Sequence, residues 1–183
     1  MQDLSLHILD IVENSLQAGA TLVEISLSIE KDRLDLTVKD NGRGMSEQEL
    51  QKARDAFFST KGKRWGLGIP LLAQSAQEAE GALQIHSQVG KGTTLRLHYR
   101  LSHPDAKPLG NLGCTMMTLL AGHPDVDFLL RLSHPGGTYT LDTRELRKAG
   151  LPLNSPKLVK LIRDEVNEAL SSKEIREGGV LKP

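Results

Sequence analysis

Apolar residues recur at Leu4, Ile8, Ile11, Val12 and Leu16, the spacing of one face of an amphipathic helix, and Gly19 supplies its stop. The period then changes. Residues 22–30 (LVEISLSIE) and 33–40 (RLDLTVKD) alternate apolar and polar as half-buried strands do, with Lys31 and Asp32 as the hairpin turn between them. Ser46 and Glu49 make the capping box of a helix predicted to run to about Phe57. A further helix spans LGIPLLAQSAQEAEG, with Pro70 in its first turn and Gly81 as its stop. The segments ALQIHSQV and TTLRLHYRL read as strands joined at GKG. Helix, two strands, two helices, two strands: that order predicts an α+β two-layer sandwich, a mostly antiparallel mixed sheet with helices on one face.

Residues 102–110 (SHPDAKPLG) carry two prolines and read as a linker. Beyond it the pattern predicts a helix over about 111–121, a hairpin turning at HPGG and a helix in DTRELRKAG. A last helix starts from Ser155 with Pro156 at its first position, and Leu158, Leu161, Ile162, Val166 and Leu170 form its apolar stripe. The expected organisation is therefore a first domain over residues 1–103 and a small α/β C-terminal domain over 104–183.

Charge changes this picture little. Basic and acidic residues number 23 each, so the net charge is zero and nothing pulls the chain as a whole toward nucleic acid or an anionic membrane. The single cysteine, Cys114, excludes an internal disulfide and suits a reducing compartment. The first ten residues lack the basic start and apolar core of a signal peptide, and no apolar run approaches the roughly 18 residues a membrane span needs. The expectation is a cytoplasmic protein.

The candidate chemistry lies in three glycine-bearing turns, DNGRGM (40–45), KGKRWGLGI (61–69) and GKGTT (90–94), and in a polar pair, Glu13 and Asn14, inside the first helix. Asn is a poor helix former that favours caps and turns, so Asn14 is either a tolerated surface residue or has a task. Glycine admits positive φ and close approach to a ligand, and the second turn opens a helix whose free N–H groups can meet phosphate. Taken singly, each turn is weak evidence: DNGRGM reads equally well as a hairpin exit with good turn chemistry, and a Gly-x-Gly at a helix start is more often structural than phosphate-binding. In order, a helix with Asn, a hairpin ending in Asp-x-Gly-x-Gly, a Gly-x-Gly before a helix and a Gly-Thr entering the last strand resemble the GHKL superfamily. It contains gyrase, histidine kinases, mismatch-repair ATPases and a heat-shock chaperone family. LDIVENSLQAGAT looks most like the mismatch-repair branch, and AFFSTKGKRWGLGI with GKGTTLRL most like histidine kinases. The resemblance covers roughly residues 4–101.

That resemblance implies a Bergerat-type fold and a Mg-ATP site. Asn14 would coordinate Mg²⁺, which takes oxygen ligands and keeps several waters. Asp40 would accept a hydrogen bond from the adenine amine. Gly42 and Gly44 would let the chain pass the base, and Thr93 would support the adenine pocket. Gly66, Leu67 and Gly68 would offer backbone donors to the phosphates. Lys61 would meet phosphate charge or be an ordinary surface lysine, and Met45 would line the pocket or the core. His7 is expected on the helix surface, and His103, His123 and His134, each followed by proline, as turn residues.

The sequence also departs from the pattern. Hydrolysing branches carry Glu four residues before the magnesium Asn; here that place holds Asp10, which shares a helix face with Asn14. Asp is shorter by one carbon–carbon bond, about 1.5 Å, and a misplacement near 1 Å can cost roughly a hundredfold in rate. Asp10 is thus a sluggish catalytic base or a residue that fixes nearby backbone. Four residues separate Lys61 from Gly66, a short lid that fits a site open to a docking protein better than one driving large closure. No phosphoacceptor histidine pattern occurs upstream, so a kinase would find its acceptor on another chain. The function expected is γ-phosphate transfer to a protein partner. A slow ATPase switch and a nucleotide sensor without turnover are the rivals.

Overall fold

The computed structural model describes residues 3–54 and 68–171. Helix α1 (Leu4–Gln17) is capped by Asp3, whose carboxylate accepts from Leu6 N at 3.0 Å. Strands β1 (Leu22–Glu30) and β2 (Arg33–Asp40) form the expected hairpin. Helix α2 (Glu47–Arg54) opens on the predicted capping box, with Ser46 N donating to Glu49 Oε2 at 2.8 Å; residues 55–57 of the expected helix lie outside the described residues. Helix α3 (Gly68–Glu78) leads into the hairpin β3 (Ala82–Gln88) and β4 (Gly92–Arg100). Then come α4 (Leu112–Gly122), β5 (Asp127–His134), β6 (Gly137–Asp142), α5 (Thr143–Lys148) and α6 (Pro156–Ala169).

The architecture is the α+β sandwich, with one six-stranded mixed sheet in the order β3-β4-β2-β1-β5-β6. The strict alternation of β1, buried at Val23, Ile25, Leu27 and Ile29, puts one sheet face against the helices. α1 touches α3 on one side and α4 on the other, and α4 packs on α6.

The boundary expected at 103/104 marks the end of a hairpin and not the edge of the sheet. β5 runs parallel to β1, Leu22 opposite Asp127 and Ser28 opposite Ser133, so the C-terminal strands extend the first sheet. One core cluster contains Leu4, Ile25 and Leu97 together with Leu119, Phe128 and Ile162. The segment read as a linker is a packed strap. Leu109 is fully buried, and Pro108 O and Leu109 O accept from Leu4 N and Ser5 N at 2.9 Å each. These bonds satisfy helix-start donors that otherwise lack partners.

Candidate functional site

Three elements meet where β2 ends. Asp40 is its last residue, 7 % exposed. A buried carboxylate needs donors, and Asp40 has three. Gly42 N at 2.8 Å and Thr93 N at 3.2 Å donate to Oδ1, and the Ser15 hydroxyl donates to Oδ2 at 2.9 Å. A carboxylate has about four acceptor positions, so one on Oδ2 stays open for a single further donor.

The glycines set this geometry. Gly92 has φ +90°, and a methyl group there would overlap Asp40 O; Gly44 has φ +66°, and a methyl group would overlap Gln88 O. Side chains would push the loops apart. At Gly42 a methyl group would crowd Ala18 and Asp40 Oδ1, at 3.0–3.1 Å. Behind the turn, Asn41 holds the start of β1, its Oδ1 accepting from Thr21 N and Leu22 N at 2.9 Å each. Ser87 Oγ lies 2.9 Å from Thr93 Oγ1 and accepts from Met45 N at 2.8 Å.

Asp40 faces an open-mouthed cleft that Asn14, Ser15 and Thr93 also line. Ile11, Val38, Met45, Ile69, Ile85 and Leu95 give it apolar walls. Apolar walls, one buried carboxylate with a spare acceptor and glycines at the rim fit a flat heterocycle that presents one N–H donor. Asn14 also lines the cleft, a half-buried amide with no side-chain hydrogen bond to another described residue. As a single oxygen donor it fits a magnesium ion that takes its other ligands from phosphate and water.

Asp10 does not line the cleft. It is exposed one helical turn before Asn14, and a methyl group on Gly68 would lie 3.8 Å from its Cβ and Oδ2. Its carboxylate therefore lies beside the first described residue of α3, where the helix dipole favours negative charge. Lys61, Gly66 and Leu67, like Trp65, lie outside the described residues.

The neighbours Glu13 and Asn14 diverge. Asn14 turns to the cleft, whereas Glu13 Oε1 meets His123 Nε2 at 3.1 Å, tying α1 to the end of α4. His7 corrects an expectation: it is 2 % exposed rather than on the helix surface, with neither ring nitrogen hydrogen-bonded to a described residue. At about 100° per residue it falls at the margin of the arc that carries Leu4 and Ile11. Burial lowers its pKa from the ordinary value of 6.5, and Lys107 adds to this against Asp10 and Asp3. Ser15 was missed as a site residue. Its place in the middle of the same buried arc was the available signal for a polar group with a buried partner.

The sequence profile of the family described as histidine kinase-, DNA gyrase B-, and HSP90-like ATPase matches residues 2–103, and the chain belongs to that family. It is accordingly an ATP-binding, histidine-kinase-like ATPase domain. Sporulation kinase C of Bacillus subtilis is 33 % identical over 91 residues, covering 49 % of this chain and 21 % of that protein. Sensor protein DegM of Bacillus sp. strain B21-2 is 33 % identical over 92 residues, covering 49 % and 25 %. Sporulation kinase A of Bacillus subtilis is 27 % identical over 94 residues, covering 50 % and 15 %. The chain thus spans a quarter or less of the length of these curated relatives. No helix among the described residues is long and apolar enough to cross a membrane.

Proposed function

We propose that this protein binds Mg-ATP in the cleft and passes the γ-phosphate to a protein partner that carries the acceptor. The observation that carries the reading is Asp40, buried under three donors and left with one acceptor position facing an apolar cleft. Asp40 would hold the adenine amine, Thr93 and Gly42 would hold Asp40, and Asn14 would offer its amide oxygen to magnesium. The metal would supply charge neutralisation for the phosphates. Lys61 and the backbone of Gly66, Leu67 and Gly68 would line the phosphate chain. Gly44 would keep the rim thin enough for the base to enter, and Met45 would contribute apolar wall. The kinase names of the relatives support phosphate transfer rather than binding alone.

A second reading rests on Asp10. It lies exposed beside the start of α3, one turn from Asn14, where a carboxylate could orient water for slow hydrolysis that switches a partner complex. Incubation with γ-labelled ATP, alone and with candidate partners, tests both readings. Label on a partner supports the kinase. Free phosphate that disappears in Asp10→Asn, with binding intact, supports the switch. Neither product at full ATP occupancy contradicts both and leaves a sensor.

A further inference from the structure

The sheet ends at β6, and no described residue pairs with its outer side. Every second residue of an edge strand turns its N–H and C=O away from the sheet, and proteins usually blunt such edges with charge or proline. From Gly137 to Leu141 (GTYTL) β6 has neither, and Thr138 and Thr140 are exposed. Helix α6 flanks this edge. The Tyr139 hydroxyl donates to Glu165 Oε2 at 3.1 Å, while on the opposite flank Asn167 Oδ1 accepts from Gly113 N of α4 at 3.2 Å. At about 100° per residue, Leu158, Leu161 and Glu165 lie on the flank away from α4. Leu161 is 53 % exposed there. Lys157 stands at the start of this outer flank and Glu168 near its end, neither in an ion pair with a described residue.

We infer that the β6 edge and the outer flank of α6 join two copies of this chain about a two-fold axis. Two β6 strands pair antiparallel, so one sheet runs through both copies. The same axis sets the two α6 helices antiparallel, which puts Lys157 of each copy toward Glu168 of the other and brings the Leu161 side chains together. Lys157 at one end and Glu168 at the other complement their own two-fold copies, as an isologous interface requires, with Leu161 and Glu165 between them. A parallel pairing would instead oppose like charges. The β6 edge is three strands from β2, about 14 Å at the usual strand spacing, so the cleft stays open in the dimer. The inference is independent of what the cleft binds.

Sedimentation equilibrium of the full chain tests it. The wild type should show twice the 20.0 kDa chain mass. Thr140→Lys, which puts a lysine on the edge, and Leu161→Glu should each weaken association about tenfold or more. Both sites are exposed, so thermal melts should stay near wild type. Lys157→Glu should also weaken association, and Lys157→Glu with Glu168→Lys should restore it. A monomeric wild type at every concentration tested would overturn the inference. So would a dimer indifferent to both Thr140→Lys and Leu161→Glu, or a failure of the double exchange to restore what Lys157→Glu loses.

Discussion

On the Asp40 side of the cleft, the carboxylate is buried under three donors, and two glycines at positive φ let β2, β4 and the adjoining loops touch backbone to backbone. On the Asn14 side, the amide is half-buried without a side-chain hydrogen bond among the described residues, and Asp10, one turn earlier in α1, lies exposed outside the cleft. The first end is complete before a ligand arrives, apart from one acceptor position. The second has polar side chains without hydrogen-bond partners among the described residues. A preorganised end loses little ordering entropy on binding and sets specificity. An incomplete end depends on what its ligand brings, which under the proposed function would be phosphate charge and metal.

The largest expected effect is therefore on the Asp40 side. In Asp40→Asn the amide oxygen can still accept from Gly42 N and Thr93 N, and the Ser15 hydroxyl can turn to accept from the new NH₂, so the fold should survive. What disappears is the acceptor facing the cleft. A hydrogen bond to a charged group is worth roughly 1.5–3 kcal/mol, so ATP affinity measured by calorimetry should fall about 10- to 150-fold. Wild-type affinity in this variant would remove Asp40 from base recognition.

Asn14→Ala probes the other end. ATP affinity without magnesium should change little, while the enhancement that magnesium gives should largely vanish. Titrations with and without the metal separate these two quantities. An undiminished enhancement would make Asn14 an ordinary surface amide.

Ser15→Ala should have a smaller effect. It removes one donor from the Asp40 carboxylate but leaves the acceptor that faces the cleft, so the loss of ATP affinity should be smaller than in Asp40→Asn, about tenfold at most. Ser15→Thr keeps the hydroxyl and should lose less. An equal loss in both variants would point to packing instead of the hydrogen bond.

The smallest effect is on stability, through His7, which shares a flank of α1 with Asp10 and Asn14. Its folded pKa is lowered by burial, so the unfolded chain binds more protons in the window below 6.5. The His7 contribution to stability is fully present above that value and is lost as pH falls below it toward the lowered folded pKa. The slope is at most about 1.4 kcal/mol per pH unit. Denaturant midpoints compared above and below this pH should show it, and His7→Phe should flatten it. Identical pH profiles in both proteins would mean that His7 opens to solvent at little cost.

Much of this was legible in the sequence. The strand alternation around Ile25 and Leu36, the Ser46–Glu49 box and the Asp40-x-Gly42-x-Gly44 turn are local patterns, and local patterns survive without knowledge of the fold. The place of β5 beside β1 was not legible, because alternation shows which face of a strand is buried and not which strand pairs with it. Pro104 and Pro108 suggested a free linker, but the burial of Leu109 depends on the start of α1, about a hundred residues away in the chain. The burial of His7 and the role of Ser15 follow from helical position more than from residue type, since both fall on or beside the arc that faces the core.

The central claim is that the cleft reads adenine through one open acceptor on Asp40. Calorimetric titration of the wild-type protein with ATP and with GTP, at equal magnesium, tests it most directly. Guanine presents a carbonyl oxygen where adenine presents its amine, and a carboxylate cannot donate to it. ATP should bind at least about tenfold tighter than GTP. Equal affinities for the two nucleotides would contradict it.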